Sequence, residues 1–108
     1  AGKFAIGVDA NQNYLHPGVM LSSMVKRVDN AVFDTFMTAM NDEFEAGVFD
    51  LGLAEAGVGA AMDEYNADLV SDEMMASLAE FEAAIISGEL VVQNFTDEDF
   101  SFEGSCVN

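Results

Sequence analysis

The chain has 108 residues, which is enough for one small domain with a modest hydrophobic core. Hydrophobic residues make up 51% of it, including 9 Phe and 7 Met, and this content argues against intrinsic disorder. There are 20 acidic and 3 basic residues, for a formal net charge of −17, and no Lys or Arg follows Arg27. Because this charge repels phosphate groups, it argues strongly against nucleic acid as a partner and disfavours anionic membrane surfaces.

Few residues offer catalytic or metal-binding chemistry. The single cysteine, Cys106, excludes an internal disulfide and metal sites built from several thiolates. His16 is the only histidine, and no G-x-S-x-G turn is present, so nucleophilic catalysis has little support. The acidic residues match no complete EF-hand loop. We therefore expect no enzyme, no cofactor and no specific metal site.

The first third of the chain predicts a strand followed by a helix. Residues 3–8 are an apolar run, typical of a buried parallel strand, that ends at Asp9. Residues 19–25 are compatible with either a strand or the start of a helix. Residues 27–41 carry an apolar stripe at helical spacing that is wide enough to predict burial on more than one side.

The rest of the chain predicts short strands around a second helix. We expect a strand at residues 48–53, a short strand or close-packed turn within 55–62, and a final strand at 90–92. Residues 63–70 are a connector, and the acidic residues 94–108 are expected to form a surface tail. This alternation of strands and helices favours an α/β fold with parallel pairing.

The second helix has clear signals at both ends. Ser71 is a favourable N-cap residue, and acidic residues follow it in the first turn, where the helix dipole stabilises negative charge. Gly88 is typical of the residue that follows a helix. The sequence therefore predicts a helix over residues 72–87.

Two charged residues are candidates for binding. Asp9 follows a predicted parallel strand, and ligands bind at the carboxyl ends of such strands in open α/β sheets. Lys26 lies at a predicted helix start, where a cation opposes the helix dipole. Two explanations remain open for Lys26: contact with a ligand or a partner acid, or a structural ion pair with Asp29 or Asp9.

Several segments, in order, resemble one known family. They are residues 4–12 (FAIGVDANQ), 17–34 (PGVMLSSMVKRVDNAVFD), 47–59 (GVFDLGLAEAGVG) and 84–89 (AIISGE). This pattern closely resembles the basic membrane protein family, the substrate-binding lipoproteins of ABC transporters that include the purine nucleoside receptor. The resemblance covers residues from about Phe4 to Val92.

The resemblance implies a type I periplasmic-binding-protein fold, with Rossmann-like lobes and a mostly parallel sheet. On this basis residues 1–93 are the C-terminal portion of a substrate-binding domain, and residues 94–108 are a tail without a counterpart. The implied partners are a small-molecule ligand, most simply a nucleoside, the N-terminal remainder of the same protein, and the transporter permease. The implied location is the periplasm or the outer face of the cell membrane.

The resemblance also implies roles for both candidate residues. Asp9 matches the aspartate that contacts the ribose hydroxyls, and Lys26 matches the lysine that reaches the ribose region. The family often has a second acid where this chain has Asn11.

Two alternatives to ligand binding remain: an acidic interaction module that self-associates or pairs with the remainder of the protein, and an enzyme that depends on His16.

Overall fold

The computed structural model describes residues 2–93. Three strands and two helices follow one another in the order β1, β2, α1, β3, α2, and a short 3-10 turn lies between the first two strands. Their bounds are β1 Ala5–Asp9, the 3-10 turn Asn13–Leu15, β2 Met20–Lys26, α1 Val28–Met40, β3 Val58–Ala60 and α2 Asp72–Ser87. The α/β class is confirmed, and the ambiguous stretch before α1 is a strand.

The strands form one sheet in the order β1-β2-β3, with β2 in the centre. β1 and β2 are parallel, so their carboxyl ends lie at the same edge of the sheet, with Asp9 opposite Val25. β3 pairs antiparallel with β2, and Lys26 lies opposite Val58. The expectation of a mostly parallel sheet therefore holds for the first pair alone. The described sheet is mixed.

Both helices begin and end close to the predicted positions. The Ser71 side chain accepts a hydrogen bond from the backbone N–H of Met74, as expected for an N-cap residue. Gly88 ends α2 in the left-handed conformation, with φ at 78°, which costs little for a residue without Cβ. Among the described residues, neither α1 nor α2 combines the length and the hydrophobicity of a membrane-spanning helix.

The apolar side chains of these elements are mostly exposed. Within residues 2–93, the only buried hydrophobic side chain is Met20. In β1 the one buried residue is Gly7, and neither α1 nor α2 has a buried residue. The predictions of a buried first strand and of a first helix buried on more than one side are therefore wrong for this chain. Nothing among the described residues covers those faces.

Two predicted strands do not form. Residues 48–53 and 90–92 lie outside the sheet, because a strand requires a neighbour for its backbone groups. The end of the first segment instead forms a turn, in which the N–H of Gly52 donates to the Glu55 side chain and the N–H of Gly57 donates to the Gly52 carbonyl. The predicted tail at residues 94–108, with Cys106, lies outside the described residues.

Candidate functional site

The two candidate residues meet at the carboxyl edge of the parallel strands. Asp9 is the last residue of β1 and Lys26 is the last residue of β2. The Lys26 Nζ atom lies 3.1 Å from Asp9 Oδ1, and both side chains are more than half exposed. Of the alternatives for Lys26, the structure shows the pair with Asp9. Arg27, rather than Lys26, precedes the first residue of α1.

Arg27 forms the other ion pair at this edge. Its Nε and Nη2 atoms donate to the two carboxylate oxygens of Asp29, at 3.0 and 2.9 Å. These hydrogen bonds hold the pKa of Asp29 below its ordinary value. Asp29 thus pairs with Arg27, and Lys26 pairs with Asp9 of β1.

Asp9 adopts a backbone conformation that is uncommon for residues other than glycine, although aspartate adopts it more readily than most. Its φ angle is 83°, in the left-handed region. This conformation costs an L-residue about 1 kcal/mol or more, so the residues that follow Asp9 must be held in place. A carboxylate can accept about four hydrogen bonds. Asp9 therefore retains capacity for further donors beside its contact with Lys26.

A buried polar cluster anchors the loop after β1. We define it as Asn11, Asn13, Ser23, Asp63 and Asn66. The side chains of Asn13, Ser23 and Asn66 are almost completely buried. The Ser23 hydroxyl donates to Asn13 Oδ1 at 2.8 Å and accepts from the backbone N–H of Gln12 at 3.0 Å. β2 thus holds the loop through one side chain. No buried side-chain polar atom within residues 2–93 lacks a hydrogen-bond partner.

Asn66 ties the turn after β3 to the central strand. Its Nδ2 atom donates to the carbonyls of Leu21 and Ala61, at 2.7 and 3.0 Å. Its Oδ1 atom accepts from the backbone N–H of Asp63 at 2.9 Å. One amide side chain therefore satisfies three backbone groups.

Asp63 connects that turn to the loop after β1. Its Oδ2 atom accepts from Asn11 Nδ2 at 2.7 Å and from Asn13 Nδ2 at 3.1 Å, and its Oδ1 atom accepts from the N–H of Tyr65 at 2.9 Å. The pKa of Asp63 lies below its ordinary value, chiefly because Asn11 donates to the carboxylate, with further help from Tyr65 and Asn13.

Sequence reasoning does not identify this cluster. It predicts only a polar loop after β1 and a connector at residues 63–70, and hydrogen bonds between segments so far apart have no periodic signature. The one available signal is the pair Ser22 and Ser23 within an otherwise apolar strand. A buried hydroxyl in a central strand requires a partner, and here the partner is Asn13.

An open apolar groove lies between the sheet and α2. Its volume is about 730 Å³, and its lining residues include Leu21, Met24, Val58, Met74, Phe81 and Ile85. Glu73 and Glu82 of α2 also border it. The groove does not contain Asp9 or Lys26, so it is distinct from the polar strand edge.

Comparison with known proteins identifies the family. The family described as ABC transporter substrate-binding protein PnrA-like matches residues 1–96. The chain belongs to this family. The resemblance inferred from the motifs is thereby confirmed.

Several proteins are similar in sequence to this PnrA-like chain, and one solved structure is also similar to it in fold. Basic membrane protein C of Borreliella burgdorferi is 24% identical over 102 residues, which are 93% of this chain and 27% of that protein. An uncharacterized lipoprotein of Pyrococcus furiosus is 40% identical over 55 residues, which are 51% of this chain and 14% of that protein. The crystal structure of an ABC transporter solute-binding protein from Aeropyrum pernix matches with a TM-score of 0.63 and 26% identity, covering 89% of this chain and 34% of that one. The PnrA-like chain thus spans about a third or less of each.

Proposed function

We propose that this chain forms part of an extracytoplasmic solute-binding protein of an ABC transporter, and that Asp9 and Lys26 bind the ribose of a nucleoside. The observation that carries the proposal is the 3.1 Å pair between Lys26 Nζ and Asp9 Oδ1, at the carboxyl ends of two parallel strands. In open α/β sheets this edge is where ligands bind. Membership of the family supports a transport role without a catalytic step.

The chemistry of the pair suits a vicinal diol. A carboxylate accepts hydrogen bonds from two adjacent hydroxyl groups, and charge-assisted bonds of this kind are the stronger ones. The ammonium group of Lys26 neutralises the carboxylate and can donate to a ribose oxygen. A nucleoside carries no phosphate, so it avoids the repulsion that the net charge of −17 imposes on nucleotides.

The described residues supply one wall of such a site. The side chains of Lys26 and Asp9 are 59% and 70% exposed, whereas binding sites enclose most of the surface of a small ligand. We propose that the remainder of the protein supplies the opposite lobe of an interlobe cleft, and that the permease receives the ligand. The 108 residues alone are then expected to bind nucleoside weakly or not at all.

The experiment is calorimetric titration of the full-length protein with adenosine and with 2′,3′-dideoxyadenosine. The wild type should bind adenosine at least about tenfold more tightly, since charged hydrogen bonds are each worth about 1.5–3 kcal/mol. The substitution Asp9→Asn should remove most of this preference. Asp34→Asn, which removes the same charge from an exposed position on α1, should leave it unchanged. Equal affinities for the two nucleosides in the wild type would rule out ribose recognition by Asp9.

A second candidate is an acidic interaction module without ligand binding of its own. The open apolar groove supports this alternative, because exposed apolar patches mark association sites. It predicts a stable oligomer of the 108-residue chain in sedimentation experiments. The transport proposal predicts that the groove is covered by the remainder of the same protein, in which case the full-length protein sediments as a monomer.

A further inference from the structure

Among the described residues, the loop after β1 is held in place by hydrogen bonds to buried side chains. Asn13 and Ser23 are completely buried, and Gln12 donates its backbone N–H to the Ser23 hydroxyl. The loop starts at Asp9, whose left-handed φ of 83° is unfavourable for its side chain. A strained residue persists only where its surroundings hold it, so the anchors that follow Asp9 maintain its conformation.

The outermost of these anchors is an amide–carboxylate pair across two segments. Asn11, two residues after Asp9, donates to Asp63 at 2.7 Å, and Asn13 donates to the same oxygen at 3.1 Å. Asn11 also accepts from the backbone N–H of Asn13 through its own Oδ1 atom, at 3.0 Å. Asn11 is exposed and Asp63 is half-buried, so the contact between them is not needed to fill a core.

The chemistry of this pair requires one donor and one acceptor. A carboxylate at residue 11, in place of the Asn11 amide, would put a second negative charge beside Asp63. The Asn11 Nδ2 atom now lies 2.7 Å from Asp63 Oδ2, so the two like charges would be about that far apart. The low pKa of Asp63 is consistent with an ionised acceptor in this place. An aspartate at residue 11 is therefore incompatible with Asp63 in the observed arrangement.

We infer that the Asn11–Asp63 contact is a positioning element of the ligand site: it holds the loop after β1 so that Asp9 presents its carboxylate to the ligand. This inference rests on the proposed function of Asp9. Asp63 touches neither Asp9 nor Lys26 among its hydrogen bonds in the described residues, so it acts through the loop.

The test is a charge swap in the full-length protein, with adenosine affinity as the first readout. Asn11→Asp should weaken binding by about tenfold, equivalent to one net hydrogen bond. Adding Asp63→Asn should recover part of this loss, by about threefold, because it removes the like charge and lets residue 63 donate to residue 11, while Asn13 Nδ2 loses that oxygen and keeps the Ala61 carbonyl. Gln93→Glu adds the same charge at an exposed residue and should leave binding unchanged.

The second readout is amide hydrogen exchange without ligand. The N–H groups of Gln12 and Asn13 should exchange faster in Asn11→Asp and return toward the wild-type rate in the swapped protein. A merely structural contact would alter exchange without changing affinity, and that result would overturn the inference.

The two proposals fail in different ways. If Asp9→Asn abolishes binding while Asn11→Asp does not weaken it, the positioning role is wrong and the ligand site stands. The positioning role is also wrong if the swapped protein binds no better than Asn11→Asp. If the wild type binds no nucleoside, the ligand site is wrong and the positioning role is lost with it.

Discussion

At the polar cluster, Asn13, Ser23 and Asn66 are buried and find all their hydrogen-bond partners within the chain. At the apolar groove, by contrast, large side chains such as Phe81 remain about 61% exposed. A polar group needs only a few hydrogen-bond partners in the right directions. An apolar side chain, in contrast, is removed from water only when other atoms cover a large part of its surface. The polar cluster is therefore complete in this chain, while the groove lacks a covering layer among residues 2–93.

This contrast suggests where stability resides. Burial of hydrophobic surface usually dominates folding, yet within the described residues the one buried hydrophobic side chain is Met20. The sheet is held together instead by β2, which pairs on both sides and anchors the polar cluster. Substitutions in the cluster should thus have larger effects than substitutions in the groove.

The largest effect is expected from Asn66→Ala. The substitution leaves the carbonyl of Leu21 and the N–H of Asp63 without their present partner, whereas the Ala61 carbonyl keeps the donors Asn13 and Ser22. It should lower the free energy of unfolding by about 3 kcal/mol, since each unsatisfied buried group costs about 1–3 kcal/mol. Urea denaturation of the chain provides the measurement. Asn41→Ala, at an exposed amide, is the control. A loss below about 1 kcal/mol would contradict the importance of the cluster.

A smaller loss is expected from Gly7→Ala. An added Cβ would lie 2.5 Å from Ser23 Oγ, so the hydroxyl would have to move away from its two partners. Overpacking of this kind costs about 1–3 kcal/mol. Gly59→Ala, in β3, is the matched control, because its added Cβ would meet no atom within 4 Å. Equal melting temperatures for the two variants would show that Ser23 is free to move.

A still smaller effect is expected from Phe81→Ala in the 108-residue chain. Because this side chain is 61% exposed, its removal should change the free energy of unfolding by less than about 0.5 kcal/mol. In a protein whose remainder covers the groove, the same substitution should cost about 3 kcal/mol or more. An equal loss of unfolding free energy in the two proteins would show that the remainder of the protein does not cover the groove. The exposure of the groove would then be a property of the fold itself.

The smallest effect concerns pH. Because the pKa of Asp63 is lowered in the folded chain, the stability it contributes is fully present above its ordinary value of 3.8 and is lost as the pH falls below that value. The difference in unfolding free energy between the wild type and Asp63→Asn should therefore be constant from pH 7 to about pH 4 and should narrow at lower pH. Asp68→Asn, an exposed acid in the same turn, is the control. If the difference in unfolding free energy between the wild type and Asp63→Asn narrows well above pH 4, a group other than Asp63 is responsible for the pH dependence.

The local elements were predictable because their signals are local. The caps at Ser71 and Gly88 defined α2, and the apolar spacing defined α1. The sequence indicates both residues of the strand edge, Asp9 and Lys26, and their ion pair is one of the alternatives it leaves open for Lys26. These features depend on neighbours within a few residues.

The features that could not be predicted depend on distant partners. The strand expected at residues 48–53 has an alternating pattern, but nothing beside it in the described sheet pairs with it. The polar cluster joins residues about 50 positions apart, such as Asn13 and Asp63, through side-chain hydrogen bonds without periodicity. The exposure of α1 follows from the absence of a covering layer among residues 2–93, which no pattern within the helix reports.

The most direct test of the central claim, that Asp9 belongs to a nucleoside site, is native mass spectrometry of the protein purified from its own organism, beside its Asp9→Asn variant. We predict a nucleoside-sized adduct on the wild type, on a mass well above 11.5 kDa, and loss of that adduct in the variant. An adduct retained equally by both proteins, or a full-length wild type without a nucleoside-sized adduct, would contradict the claim.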